Sequence, residues 1–137
     1  MIYLDSSAVV KLVLAEPESK HLHGWLAARA RQRLFCSVLT EIEVPRAVRR
    51  YQPRGLAAVT GVLASLNRVE IHPDVRTTAA AYLESDLRSW DAIHLALAVS
   101  LISGGEKLTA FITYDKWLAK AAAASGLPVV APGTDLG

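Results

Sequence analysis

The chain has 137 residues, 52% of them hydrophobic and 20% charged, with a formal net charge of +2. These values exclude a disordered chain and fit a single domain, 1–137, able to bury a core of its own. The one cysteine, Cys36, excludes an internal disulfide and a cysteine-rich zinc site, as expected of a reducing, cytoplasmic setting.

Membrane association is not expected either. The longest apolar run, "AIHLALAVSLI", contains His94 and falls short of the ~18 residues a span needs. The N-terminus has no basic region ahead of its apolar residues, so it does not read as a signal peptide. The charge is mild but unevenly placed: seven of the ten arginines lie between Arg29 and Arg54, with Glu41 and Glu43 the only acids among them. Such a patch is either a solvated helical face or a surface for a polyanion.

Taken in order, "MIYL" at 1–4 is a strand candidate, and "SAVVKLVLA" at 7–15 a helix closed by Pro17. A second helix runs from Pro17 through "ESKHLHGWLAARAR", followed by a strand, "RLFCSV", at 33–38. A third helix covers "LTEIEVPRAVRRY" and stops at the breaker cluster "QPRG". Helices at 56–66 and 75–85 flank a strand at 68–72. "SWDAIHLALAVSLISGG" begins at Ser89, a cap-like residue, and ends at Gly104 and Gly105. "AFITY" at 110–114, a helix over "DKWLAKAAAASG" and a short "PVV" strand complete the chain. This alternation predicts an α/β fold, a three-layer α/β/α sandwich with a mostly parallel sheet of about five strands.

Such sheets bind ligands at the carboxyl ends of their strands. Asp5 follows the first strand, Asp115 follows "AFITY", Glu43 lies on the helix after "RLFCSV", and Asp91 opens an apolar helix. Each has an ordinary reading as a helix cap or as an acid in a first turn. Four acids at one edge, however, repel one another and call for a counter-charge. Mg²⁺ or Mn²⁺, which prefer carboxylate oxygens and water, supply one and suit phosphodiester hydrolysis. Ser6, Ser7 and Thr113 could then orient the carboxylates or contact phosphate.

Four stretches, "MIYLDSSAVVKLVLAEP", "SVLTEIEVPRAVRR", "LRSWDAIHLALA" and "FITYDKWLAKAAAASGLPV", make the chain resemble PIN-domain ribonucleases, and most of all the VapC-type toxins of bacterial toxin–antitoxin pairs. The resemblance implies a metal-dependent endoribonuclease with an acidic quartet of Asp5, Asp91, Asp115 and one of Glu41 or Glu43. The family's serine-to-glutamate spacing, counted from Ser37, favours Glu43, and two residues apart on a helix the pair diverge by about 200°, so one alone faces the site easily. The resemblance also implies an RNA substrate, a cognate antitoxin that lays a peptide across the groove, and a homodimer. It makes His94 a packing or supporting residue.

Arg46, Arg49 and Arg50 could contact RNA phosphates or an acidic partner. Trp25, Trp90 and Trp117 read as core anchors or base-stacking platforms. Two departures from the family pattern stand out. Pro45 inside the third helix predicts a kink or a late helix start. Trp117 replaces a further acid found in some members, which predicts a second metal bound weakly or only with substrate.

Other readings fit less well. A receiver-like module needs an adjacent acid pair after the first strand. An aspartyl phosphatase needs a second acid where Ser7 stands. A catalytically silent PIN-like binding module is the alternative that the retained acids argue against.

Overall fold

The computed structural model describes residues 1–134, so positions 135–137 of the expected domain lie outside the described residues. The apolar start of the chain forms β1 (Ile2–Leu4), every residue of which is buried. Continuous apolar runs suit strands covered on both faces. With β2 (Leu34–Ser37), β3 (Asn67–Val69), β4 (Ala110–Ile112) and β5 (Val129–Val130), it builds a sheet in the order β3-β2-β1-β4-β5. All the pairings are parallel, with Ile2 opposite both Leu34 and Ala110, and Leu4 opposite Ile112.

Strand side chains alternate between faces, and each face carries its own core. Ile2, Leu4 and Ile112 pack with α1 (Ser6–Val13), α2 (Ser19–Ala27), α3 (Thr40–Tyr51) and α4 (Leu56–Ala64) through Val9, Leu22, Val44, Val48 and Leu63. Tyr3 and Phe111, stacked 5.3 Å apart, face α5 (Pro73–Ala80), α6 (Ser89–Ser103) and α7 (Lys116–Ala124) through Val75, Leu95, Leu97 and Leu118. Full burial of each such side chain stabilises the fold by about 1.5–3 kcal/mol relative to exposure. The result is the three-layer sandwich expected from the sequence, with a sheet that is wholly parallel among the described residues.

Helix ends explain where the elements stop. After α6, Gly105 at φ 101° lets its own N–H reach Ile102 O and that of Glu106 reach Leu101 O. After α7, Gly126 at φ 83° does the same with Ala123 and Leu127 with Ala122. In both places the left-handed glycine closes the last turn.

The structure corrects several boundaries. Arg88, not Ser89, is the N-cap of α6, and it makes no side-chain capping bond. The strand expected at 68–72 is shifted to Asn67–Val69, because its pairing with β2 runs from Phe35 to Ser37. The helix expected at 75–85 is α5, which begins at Pro73 and ends at Ala80. Of the two expectations for Pro45, the late start is not observed: α3 begins at Thr40 and carries through the proline. Glu41, Ile42 and Glu43 already donate their N–H groups to Val38 and Leu39 carbonyls, closing the first turn before the missing N–H of Pro45 is felt.

Candidate active site

Because β1 is central, its carboxyl end is flanked by the exits of β2 and β4, the crevice position of open parallel sheets. Asp5, Glu43, Asp91 and Asp115, carried by four separate segments, line one cavity there of about 100 Å³, together with Ser6, Ser7, Arg88 and His94. Thr113 is held behind them. Arg46 is not in this cavity but lines the adjoining groove with Glu43, Arg50, Tyr51, Arg88 and Trp90.

Asp5 is fixed from three directions. Its Oδ1 accepts from the Ala8 N–H at 3.0 Å, capping α1, and from Ser7 Oγ at 2.6 Å. Its Oδ2 accepts from Thr113 Oγ1 at 2.6 Å. That second oxygen carries this one hydrogen bond and keeps one lone pair. Thr113 Oγ1 also accepts from the Asp115 N–H at 3.0 Å, tying the two strand-exit acids together. Asp115 repeats the capping of Asp5, its Oδ1 accepting from Leu118 N–H at 2.8 Å.

Glu43 accepts at Oε1 from Ser6 Oγ at 2.6 Å and from His94 Nε2 at 2.9 Å. On its other side, His94 Nδ1 lies 2.9 Å from the Tyr3 hydroxyl, and both rings are buried. Nε2–H donates to the Glu43 carboxylate, while Nδ1 shares a hydrogen bond with the Tyr3 hydroxyl, so both ring nitrogens are satisfied. Glu41 points elsewhere, accepting from Arg68 at 3.1 Å on an exposed face. The structure therefore brings Glu43 into the cavity and leaves Glu41 out.

The outer pair is held differently. Arg88 donates from Nε to Asp91 Oδ2 at 3.1 Å and from Nη2 to Asp115 Oδ2 at 3.1 Å. Sequence reasoning missed this residue. Its signal was the i, i+3 spacing between Arg88 and Asp91 within "LRSWDAIHLALA".

The electrostatics record the crowding. Burial pushes the Asp5 carboxyl up, against the opposing pull of His94 and its hydroxyl and N–H donors. Burial, and after it the charge of Asp115, pushes Asp91 up despite Arg88. Burial would also raise Glu43, but His94, Ser6 and Arg88 together outweigh it and hold Glu43 below the usual range. Four carboxylates around one small cavity, with a cation drawn between two of them, are oxygen donors of the kind a hard divalent ion prefers. As they stand, among the described residues no three acidic, histidine or cysteine side chains gather closely enough to enclose one ion; Asp91 and Asp115 are engaged by Arg88.

Of the tryptophans, Trp25 packs on the core, whereas Trp90 and Trp117 are exposed. No helix among the described residues is long and apolar enough to cross a membrane.

Known proteins place this arrangement. The PIN domain family matches residues 2–131. Ribonuclease VapC35 of Mycobacterium tuberculosis is 53% identical over 133 residues, covering 97% of this chain and 98% of the relative. Ribonuclease VapC47 of the same organism is 37% identical over 136 residues, with the same coverage. The crystal structure of M. tuberculosis VapC20, described as a sarcin-ricin loop cleaving toxin, shares the fold at a TM-score of 0.73 and 16% identity, covering 96% of this chain and all of that one. On the match of its whole described fold and on identity above half to a full-length relative, the chain belongs to the PIN-domain family, among its VapC-type ribonucleases.

Proposed function

We propose that the chain is a cytoplasmic endoribonuclease that uses Mg²⁺ or Mn²⁺ and acts as the toxin of a toxin–antitoxin pair. The observation that carries the reading is the convergence of Asp5, Glu43, Asp91 and Asp115 on one cavity at the carboxyl edge of the sheet. When bound, the divalent ion supplies an acidified water as nucleophile and neutralises charge on the phosphate. The protein holds the ligands: Ser7, Thr113 and Ala8 fix Asp5, and Ser6 and His94 fix Glu43. Asp91 and Asp115 complete the set from the α6 and α7 ends of the cavity.

The adjoining groove supports an RNA path. Arg46 and Arg50 line it beside the exposed rings of Tyr51 and Trp90, pairing cations for phosphates with faces for unpaired bases. Trp117 replaces a further acid found in some family members, so in this reading a second ion binds weakly or only with substrate. In this reading the protein partners are a cognate antitoxin, as for the VapC-type relatives, and a second copy of the chain.

The test is incubation of the purified protein with mixed cellular RNA, with Mn²⁺, Mg²⁺ or chelator, beside Asp5→Asn. Discrete cleavage is expected from the wild type with metal alone. Cleavage that survives both chelation and the substitution overturns the metal mechanism. Absence of cleavage under every divalent ion favours the silent RNA- or protein-binding module.

A further inference from the structure

Arg88 stands in two places at once. Its guanidinium bridges Asp91 and Asp115, while its side chain also lines the groove that holds Arg46, Arg50, Tyr51 and Trp90. The side chain is 73% exposed. Exposed ion pairs are weak and easily exchanged for water or for another cation. The two acids it engages are themselves mostly covered, with 11% and 23% of their side chains exposed. They therefore need a counter-charge more than Arg88 needs them.

A divalent ion held by Asp91 and Asp115 would compete with this guanidinium for their carboxylates. Ligation of Mg²⁺ brings carboxylate oxygens to about 2.1 Å, and a guanidinium 3.1 Å from those oxygens would face the ion's charge at close range. One of the cations has to leave. The arginine is the flexible one, and the groove it already lines is where substrate phosphates would pass. A planar fork of N–H donors suits a phosphate as well as a carboxylate.

Resting on the metallonuclease reading above, we propose that Arg88 is a metal-gated phosphate ligand. It neutralises Asp91 and Asp115 until a divalent ion takes its place, then turns into the groove and grips a phosphate of the bound RNA. The order of events follows. Metal loading arms the RNA grip, and the free protein keeps its acids paired.

The test separates the two halves by binding, not by activity. Mn²⁺ affinity is measured by electron paramagnetic resonance for the wild type and Arg88→Gln. RNA affinity is measured by fluorescence anisotropy with a labelled, nuclease-resistant 2′-O-methyl single strand of mixed sequence, in Mn²⁺ and in chelator. Arg88→Gln should bind Mn²⁺ about tenfold tighter, the scale of two exposed ion pairs removed as competitors. It should bind the strand at least about tenfold more weakly in Mn²⁺, the scale of one charge-assisted contact, and equally well in chelator. Equal or weaker Mn²⁺ binding by the variant overturns the competition. A loss of RNA binding of the same size in Mn²⁺ and in chelator overturns the gating. If neither protein binds Mn²⁺, the metallonuclease reading fails along with the proposal.

Discussion

The inner and outer halves of the acidic cavity are built on opposite principles. Asp5 and Glu43 are held by donors fixed within the fold: hydroxyls of Ser6, Ser7 and Thr113, the Ala8 N–H and the buried His94. Asp91 and Asp115 share a charged, exposed side chain, Arg88, although Asp115 also caps its own helix. Donors packed into the fold fix the orientation of the inner acids. An exposed arginine instead supplies the outer acids with a counter-charge that solvent or another cation can exchange. One side of the site is thus anchored by the core and the other balanced from the surface.

The largest expected difference lies between the two glutamates. Glu43→Gln removes a charged ligand from the rigid half and is expected to lower RNA cleavage by at least about 100-fold, the scale of losing a group that supports charge at the reacting centre. Glu41→Gln, whose side chain meets Arg68 outside the cavity, should stay within about twofold, as surface changes usually do. Initial rates on one labelled RNA at saturating Mn²⁺ decide it. The reverse ranking would place the wrong acid in the site.

Much of this was legible before any coordinates. A strand-exit aspartate that starts a helix is a local pattern, so Asp5 and Asp115 could be placed on one edge once the strands were read as parallel. The order of helices and strands followed from period and breakers. Strand and helix ends did not, because they are set by neighbours: β3 stops where β2 offers its last partner, and α1 starts at Ser6 because Asp5 caps it. The supports of the acids were harder still. Tyr3 meets His94 across 91 positions and Arg88 meets Asp115 across 27, and no spacing rule carries contacts that only tertiary packing creates. His94 was readable as a packing residue; that its two nitrogens link a core tyrosine to Glu43 was not.

A smaller effect follows from that link. Tyr3→Phe leaves the ring stacked on Phe111 but removes the hydroxyl hydrogen-bonded to His94 Nδ1. A buried polar nitrogen without a partner costs about 1–3 kcal/mol, so the variant should unfold at lower urea concentration with an unchanged m-value. Cleavage should fall with it, because His94 is then free to turn away from Glu43. Normal stability in this variant would mean that water or another group satisfies Nδ1, and the rigid half would lose its claim to be preassembled.

The smallest expected effect lies in the outer half, and its sign is the informative part. In the folded chain the Asp91 carboxyl is raised from its ordinary value of 3.8, first by burial and then by Asp115. A raised acid binds its proton more tightly folded than unfolded, so stability falls as pH climbs from the unfolded value through the folded one. Above both, the whole cost is present; below the unfolded value it is absent. Asp91→Asn carries no such charge. In chelator, its melting temperature should therefore exceed that of the wild type by a few degrees at neutral pH, and the gap should close as the pH is lowered towards 3.8. Arg88 opposes this, since the substitution also removes its partner, yet an exposed arginine recovers its hydration at little loss. A variant less stable than the wild type at neutral pH would show that the arginine bridge outweighs burial, and the outer acids would then be fixed rather than displaceable.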